Sequence, residues 1–198
     1  MSIMKGEVFE KVGVNISTVS GKFQEDFRGQ IKGTEQSPEY FATGISLVAH
    51  MNSPKIPAFH FNTRFLVTGE SWFGGGADLT PTLSDKEAVD LFHNHMKDAC
   101  SGYKKDAYEE YKKNCDEYFY LGHRAEPRGA GGIFFDHINS NDWERDFDFI
   151  KQVGKSTHQV ITQIVESKKD HSWTEEEKNL QLIKLSLIHI SEPTRRPI

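Results

Sequence analysis

Long apolar runs are missing from this sequence: no stretch approaches the roughly 18 apolar residues that a bilayer-spanning helix requires. The opening Met1-Ser2-Ile3-Met4-Lys5-Gly6 reads as neither a secretory signal nor a transit peptide, so the cytoplasm is the expected compartment. An excess of basic charge is missing too. The formal net charge is -5, which argues against nucleic acid as a partner and leaves any anionic ligand to be gripped by individual arginines. Cysteine is reduced to Cys100 and Cys115, without metal-type spacing, so both are read as reduced thiols rather than a disulfide framework. Several catalytic signatures are absent as well. There is no Gly-x-Ser-x-Gly elbow and no His-Glu-x-x-His pair, which disfavours a serine hydrolase or a zincin. Neither glycine run completes a nucleotide fingerprint, because Gly74-x-Gly76 reaches Leu79 and Gly129-x-Gly131 reaches Phe134 where glycine is required.

What is present suits one globular domain. Of 198 residues, 36% are hydrophobic, and the 14 phenylalanines must mostly be buried to be tolerated. Residues 40–50 and 57–67 are rich in β-branched and aromatic side chains and flank a turn-like Asn52-Ser53-Pro54-Lys55-Ile56-Pro57, which predicts two strands of one sheet. In the second, His60, Asn62 and Arg64 share one face and Phe59, Phe61 and Phe65 the other; in the first, Ser46, Val48 and His50 fall together. Ser84 and Glu87 form a capping box that opens a helix to about Cys100, with Val89, Phe92, His93, Met96 and Cys100 inward. A second helix is expected over about 106–124, carrying Tyr108, Tyr111, Cys115, Phe119 and His123. Residues 129–136 read as a turn into a short strand. Asn141 then caps a helix with Trp143, Phe147, Ile150 and Val153 inward, and Thr174 begins one more.

Three constellations could do chemistry. His50, His60, His93 and His123 each lie on a face that can look inward; together they suit a divalent metal or proton transfer, and singly they suit hydrogen-bonded core histidines. The His60-x-Asn62-x-Arg64 strip offers a base, an amide and a guanidinium able to grip a carboxylate, unless it is only a solvated outer face. Gly74-Gly75-Gly76 with Asp78 brings backbone close to a flat ligand and a carboxylate to its N–H groups, or forms a glycine-rich turn with a capping aspartate. Arg124 and Arg128 could hold further carboxylates or offset a helix dipole.

Six blocks in order, VFEKVGVNIS (8–17), GISLVAH (44–50), HFNTRF (60–65), WFGGGADLTP (72–81), YKKNCDEYFYLGHR (111–124) and RGAGGIFFD (128–136), resemble the oxygen-dependent coproporphyrinogen III oxidases. The resemblance implies an α+β fold, a large antiparallel sheet flanked by helices, in a homodimer. It implies oxidative decarboxylation of coproporphyrinogen III to protoporphyrinogen IX in haem biosynthesis, with O2 as co-substrate and no organic cofactor. For some members it also implies a divalent metal ion. By matching motif, His60 and Asp78 are expected to be catalytic, Ser46, Asn62, Thr63 and Arg64 to bind substrate, and His50, His60, His93 and His123 to be metal ligands. The alternatives are a non-enzymatic tetrapyrrole- or metal-binding module and a histidine-metal hydrolase. Met51 stands where the family usually has proline after the first histidine. Residues 1–184 are expected to be a partial family domain. The last fourteen, from Leu185 to Ile198, resemble the translation of a sequencing-adapter read and stand where the family would continue with Arg-Gly-Arg-Tyr, Asp-Arg-Gly and Gly-Gly-Arg motifs. On that reading the chain alone is expected to be inactive.

Overall fold

A computed structural model gives the structure of the chain and describes residues 1–27, 29–122 and 126–191. Six strands, β1 (Ser2–Met4), β2 (Phe9–Lys22), β3 (Glu39–Met51), β4 (Ala58–Val67), β5 (Ser71–Thr80) and β8 (Gly132–Ile138), form one antiparallel sheet in the order β1-β2-β3-β4-β5-β8. A two-stranded ribbon, β6 (Tyr120–Leu121) with β7 (Glu126–Pro127), stands apart from it. Helices α1 (Lys86–Ser101), α2 (Ala107–Tyr118) and α3 (Trp143–Lys168) share the sheet's core, and α4 (Glu175–Ser191) docks on the β3–β4 turn. The expected α+β architecture is what forms. No helix among the described residues is long and apolar enough to cross a membrane.

Strand alternation gives the sheet two unlike faces. On one, Phe59, Phe73, Ala77, Leu79, Ile133 and Phe135 meet Phe92 and Met96 of α1, Tyr111 of α2 and Phe149 and Val153 of α3 in a single buried cluster. Phe135 sits at its centre, 5.4 Å from the Tyr111 ring and 5.0 Å from that of Phe149. The opposite face carries Ser46, Val48, His60, Asn62, Asp78 and Phe134, with glycine at several neighbouring positions.

The register bears out the paired strands read from residues 40–50 and 57–67, and Phe59 and Phe61 oppose the polar strip as expected. Several local expectations need correction. The α1 cap is Asp85, whose carboxylate accepts from the Ala88 amide; the reciprocal capping box occurs instead at α4, between Thr174 and Glu177. Asn141 adopts φ 64°, and Asp142 takes the cap of α3 by accepting from Arg145 N–H. Trp143 is 47% exposed rather than inward, because it lies over Phe73 and Phe147 at the rim of the core. Helix α2 stops at Tyr118 rather than running to 124. At its last residue Tyr118 stacks on Phe134, 4.4 Å between centroids, where the chain turns round the β8 edge onto the open face. Helix α4 continues past Lys184, and buried Gln181 donates to the carbonyls of Met51 and Ser53.

Because Phe135 is fully buried between sheet and helices, Phe135→Ala should destabilise the chain by about 3–5 kcal/mol. Urea unfolding followed by circular dichroism measures this; a loss below about 1 kcal/mol would contradict the packing.

Candidate active site

The polar strip of β4 and the carboxylate of β5 meet because register pairs His60 with Asp78 and Asn62 with Gly76, while Val48 and Ser46 of β3 face the same two rungs. These groups line a cavity of about 230 Å³ together with Phe119, Arg128 and Phe134. Ligand pockets commonly span roughly 300–1,000 Å³, so this volume accepts part of a large ligand rather than the whole of one.

Asp78 is the charged centre. Its Oδ1 lies 2.8 Å from His60 Nδ1 and its Oδ2 accepts from Arg128 Nη2 at 2.5 Å. Burial alone would raise the Asp78 pKa, but His60 and Arg128 together outweigh it and hold the carboxyl below its ordinary value. Since a carboxylate only accepts, the His60 Nδ1 carries the hydrogen, and in the neutral ring Nε2 is then the basic nitrogen. Arg128 is itself buried, 5% exposed, with its guanidinium 3.9 Å above the Phe119 ring. It arrives from the loop between β7 and β8, where the Ala130 amide donates to Leu79 O and Leu79 N–H to Gly131 O. Positive φ at Gly129 and Gly131, 61° and 72°, lets that loop turn tightly against the end of β5.

Arg64 stands one rung beyond Asn62, 41% exposed, with Nη2 donating to Asp136 Oδ2 at 2.5 Å. The pair crosses over Gly74, where a Cβ would lie 2.5 Å from Asp136 Oδ1 and 2.8 Å from Arg64 Nε. Glycine at that position leaves room for the arginine to lie flat across β5; a side chain there would push the pair aside.

The structure thus gathers Ser46, His60, Asn62 and Asp78 around one cavity and puts Arg64 at the same face, with the His50 ring edge-on to His60 at 6.4 Å. Alternation turns the Thr63 side chain to the opposite face, with Phe61 and Phe65, leaving its backbone in the strip. Of the four histidines expected as metal ligands, His50 and His60 are neighbours and His93 is engaged elsewhere. His93 sits on α1 at the helix-covered side, and both its ring nitrogens are engaged, Nε2 with Ala130 O at 3.0 Å and Nδ1 with Tyr108 OH at 2.9 Å. His123 lies outside the described residues. Among the described residues no group of three or more His, Cys, Asp or Glu side chains is arranged to hold a metal ion. Sequence reasoning left Arg128 undecided and missed Asp136 and Phe134. Period two along β8 puts the latter pair on the face opposite Ile133 and Phe135, a signal available once that strand is phased. Cys100 and Cys115 are buried and unreactive, each thiol pushed up to about 12 by burial.

The coproporphyrinogen III oxidase family pattern matches residues 1–187 of the chain. A Rickettsia bellii protein named oxygen-dependent coproporphyrinogen-III oxidase is 55% identical over 184 residues, which is 93% of this chain and 66% of that protein. Rickettsia africae and Rickettsia conorii proteins of the same name are each 56% identical over the same shares. The chain therefore spans about two-thirds of the length of the relatives it matches.

Asp78 has a lowered pKa in the fold, so the stability it contributes is present above its ordinary value of 3.8 and fades as pH falls through the folded value. Unfolding free energies of the wild-type chain and Asp78→Asn, measured from pH 7 down to pH 3, should show a wild-type advantage that is flat above about pH 5 and shrinks in acid. An advantage that grew on acidification would reverse the assigned charge state.

Proposed function

The chain belongs to the coproporphyrinogen III oxidase family, and from that premise we propose that its open sheet face binds coproporphyrinogen III and supports oxidative decarboxylation of that substrate to protoporphyrinogen IX with O2. The observation that carries this reading is the buried His60–Asp78–Arg128 group lying on the same sheet face as Arg64. At each of two propionates the change is loss of CO2 and two hydrogens to leave a vinyl group, while O2 takes up those hydrogens as H2O2. No organic cofactor enters, because the reduced, electron-rich tetrapyrrole is itself the electron donor.

Each residue then has a physical task. Arg64 offers a guanidinium at the rim to a propionate, a pairing that is planar and bidentate when fully made. Ser46 and Asn62, on the rung between Arg64 and His60, add neutral hydrogen-bonding groups that fix the ring's orientation. Asp78, held anionic by its two partners, receives pyrrole N–H groups and stabilises positive charge as the ring gives up electrons. His60, with Nδ1 committed to Asp78, uses Nε2 for proton transfer. Phe119 and Phe134 wall the cavity and keep water from the reacting carbon. A homodimer and a cytoplasmic location belong to the same proposal; Ile16, 72% exposed on β2, supports an apolar contact on the outer part of the sheet.

Two readouts test the function. Coproporphyrin III, the stable oxidised analogue, should bind with fluorescence quenching, and Arg64→Gln should weaken it about 10–100-fold, the worth of one charged hydrogen bond. With chemically reduced substrate and this chain extended to the full length of its relatives, an oxygen electrode should register uptake that Asp78→Asn lowers at least 100-fold. Binding without any oxygen uptake would favour a tetrapyrrole-binding module instead; no binding would end the proposal.

A further inference from the structure

The RGAGG turn delivers Arg128 to Asp78, yet its first contacts with β5 are backbone only, at Ala130 N–H to Leu79 O (2.9 Å) and Leu79 N–H to Gly131 O (3.1 Å). Two glycines at positive φ make the turn intrinsically loose, since glycine loses more freedom on ordering than any other residue. From the helix side the turn is reached by a side chain, in addition to the Arg128 N–H bond to Phe119 O (3.2 Å). His93 of α1 approaches the Ala130 carbonyl at 3.0 Å, and a carbonyl can only accept, so Nε2 carries the hydrogen. Nδ1 of the same neutral ring is then an acceptor, and the Tyr108 hydroxyl 2.9 Å away on α2 donates to it. The relay Tyr108 O–H to His93 to Ala130 C=O therefore runs in one sense only, and it ties both helices to the turn two residues from Arg128.

We propose that His93 is a positioning residue: it latches the 128–132 turn so that Arg128 is held against Asp78, and it acts on the chemistry through that arginine rather than as a metal ligand. The relay needs the uncharged ring. Burial lowers the His93 pKa, with Lys112 adding to that effect, while the Ala130 bond, Asp116 and Asp90 oppose it. Asp116 also lies beside the turn, where a Cβ on Gly131 would meet its Oδ1 at 2.5 Å, so the helix face presses on the turn as well as bonding to it. The inference rests on reading Asp78 as the reacting carboxylate only for its consequence in catalysis. The placement of Arg128 can be measured without turnover, so the latch can fail while that reading stands, and the reverse.

The test uses the chain labelled with ¹⁵N-arginine. Arg128, buried and 3.9 Å over Phe119, should give a guanidinium signal shifted by the ring and slow to exchange with water, assigned by its loss in Arg128→Lys. In His93→Leu, which keeps bulk but has no donor, exchange at that signal should quicken at least tenfold and the ring shift should collapse. In His93→Gln, whose amide N–H can still reach Ala130 O, both should return most of the way. An unchanged signal in His93→Leu, or no rescue by glutamine, overturns the latch. So does loss of the wild-type signal on EDTA treatment with recovery on adding Zn²⁺, which would make His93 a metal ligand. Should His93→Leu not fold, Tyr108→Phe removes the hydroxyl alone, and exchange there should quicken in the same direction; an unchanged rate in that variant also overturns the proposal.

Discussion

An ionised carboxylate taken out of water is the constraint on which this structure turns. Asp78 is 5% exposed, and leaving such a charge unpartnered would cost several kcal/mol. One oxygen is answered from within the sheet by His60, its register partner on β4, and the other from outside the sheet by Arg128. The first answer comes from strand pairing alone. The second demands that a loop from beyond α2 and the β6–β7 ribbon return to the end of β5, so the position of one carboxylate organises the route of the chain between residues 118 and 132.

That route explains why the helical layer is built as it is. Tyr118 and Phe119 leave the end of α2 to pack on Phe134 from the open side, while Tyr111 and Cys115 of the same helix stay in the core on the other. Helix α2 is therefore the element that wraps the β8 edge, and its short length follows from having to release the chain there. The open face keeps its cavity because the aromatic side chains that reach it stand at the rim, while backbone-only positions such as Gly74 and Gly76 lie between the polar strip and β8.

Much of this was legible in the sequence where a period of two or 3.6 is uninterrupted. The alternation of residues 58–67 gave both faces of β4 correctly, and the apolar stripe of α1 gave Phe92, Met96 and Cys100 as core. Legibility failed where a local rule had two candidates and tertiary contact chose between them. Ser84 and Asp85 both suit a helix cap, and Asp85 takes it while also pairing with Lys168 of α3. The helical spacing through Tyr108, Tyr111 and Cys115 extends to Phe119, but that ring is needed over Arg128, and the helix ends one residue before it. β5 was hidden because WFGGGADLTP has glycine where strand propensity expects branched side chains. Those glycines are there for the Arg64–Asp136 pair and the close approach of neighbouring strands, which are properties of the assembled sheet. The histidines show the same limit: each was placed on a plausible face, but whether faces converge depends on which side of the sheet they belong to, and His93 belongs to the other side from His60.

Burial also separates two arginine–aspartate pairs that look alike in the sequence. Arg128–Asp78 is buried at 5% and 6% exposure, so removing either partner strands the other in low dielectric, and the pair is fixed. Arg64–Asp136 stands at 41% and 24%, where an ion pair is worth about 0–1 kcal/mol, so exchanging one carboxylate for another costs little. A guanidinium already laid across β5 by a weak internal carboxylate loses less freedom on meeting a propionate than one waving in solvent. The deep pair therefore sets the charge of the cavity, and the shallow one is free to trade its partner for a ligand.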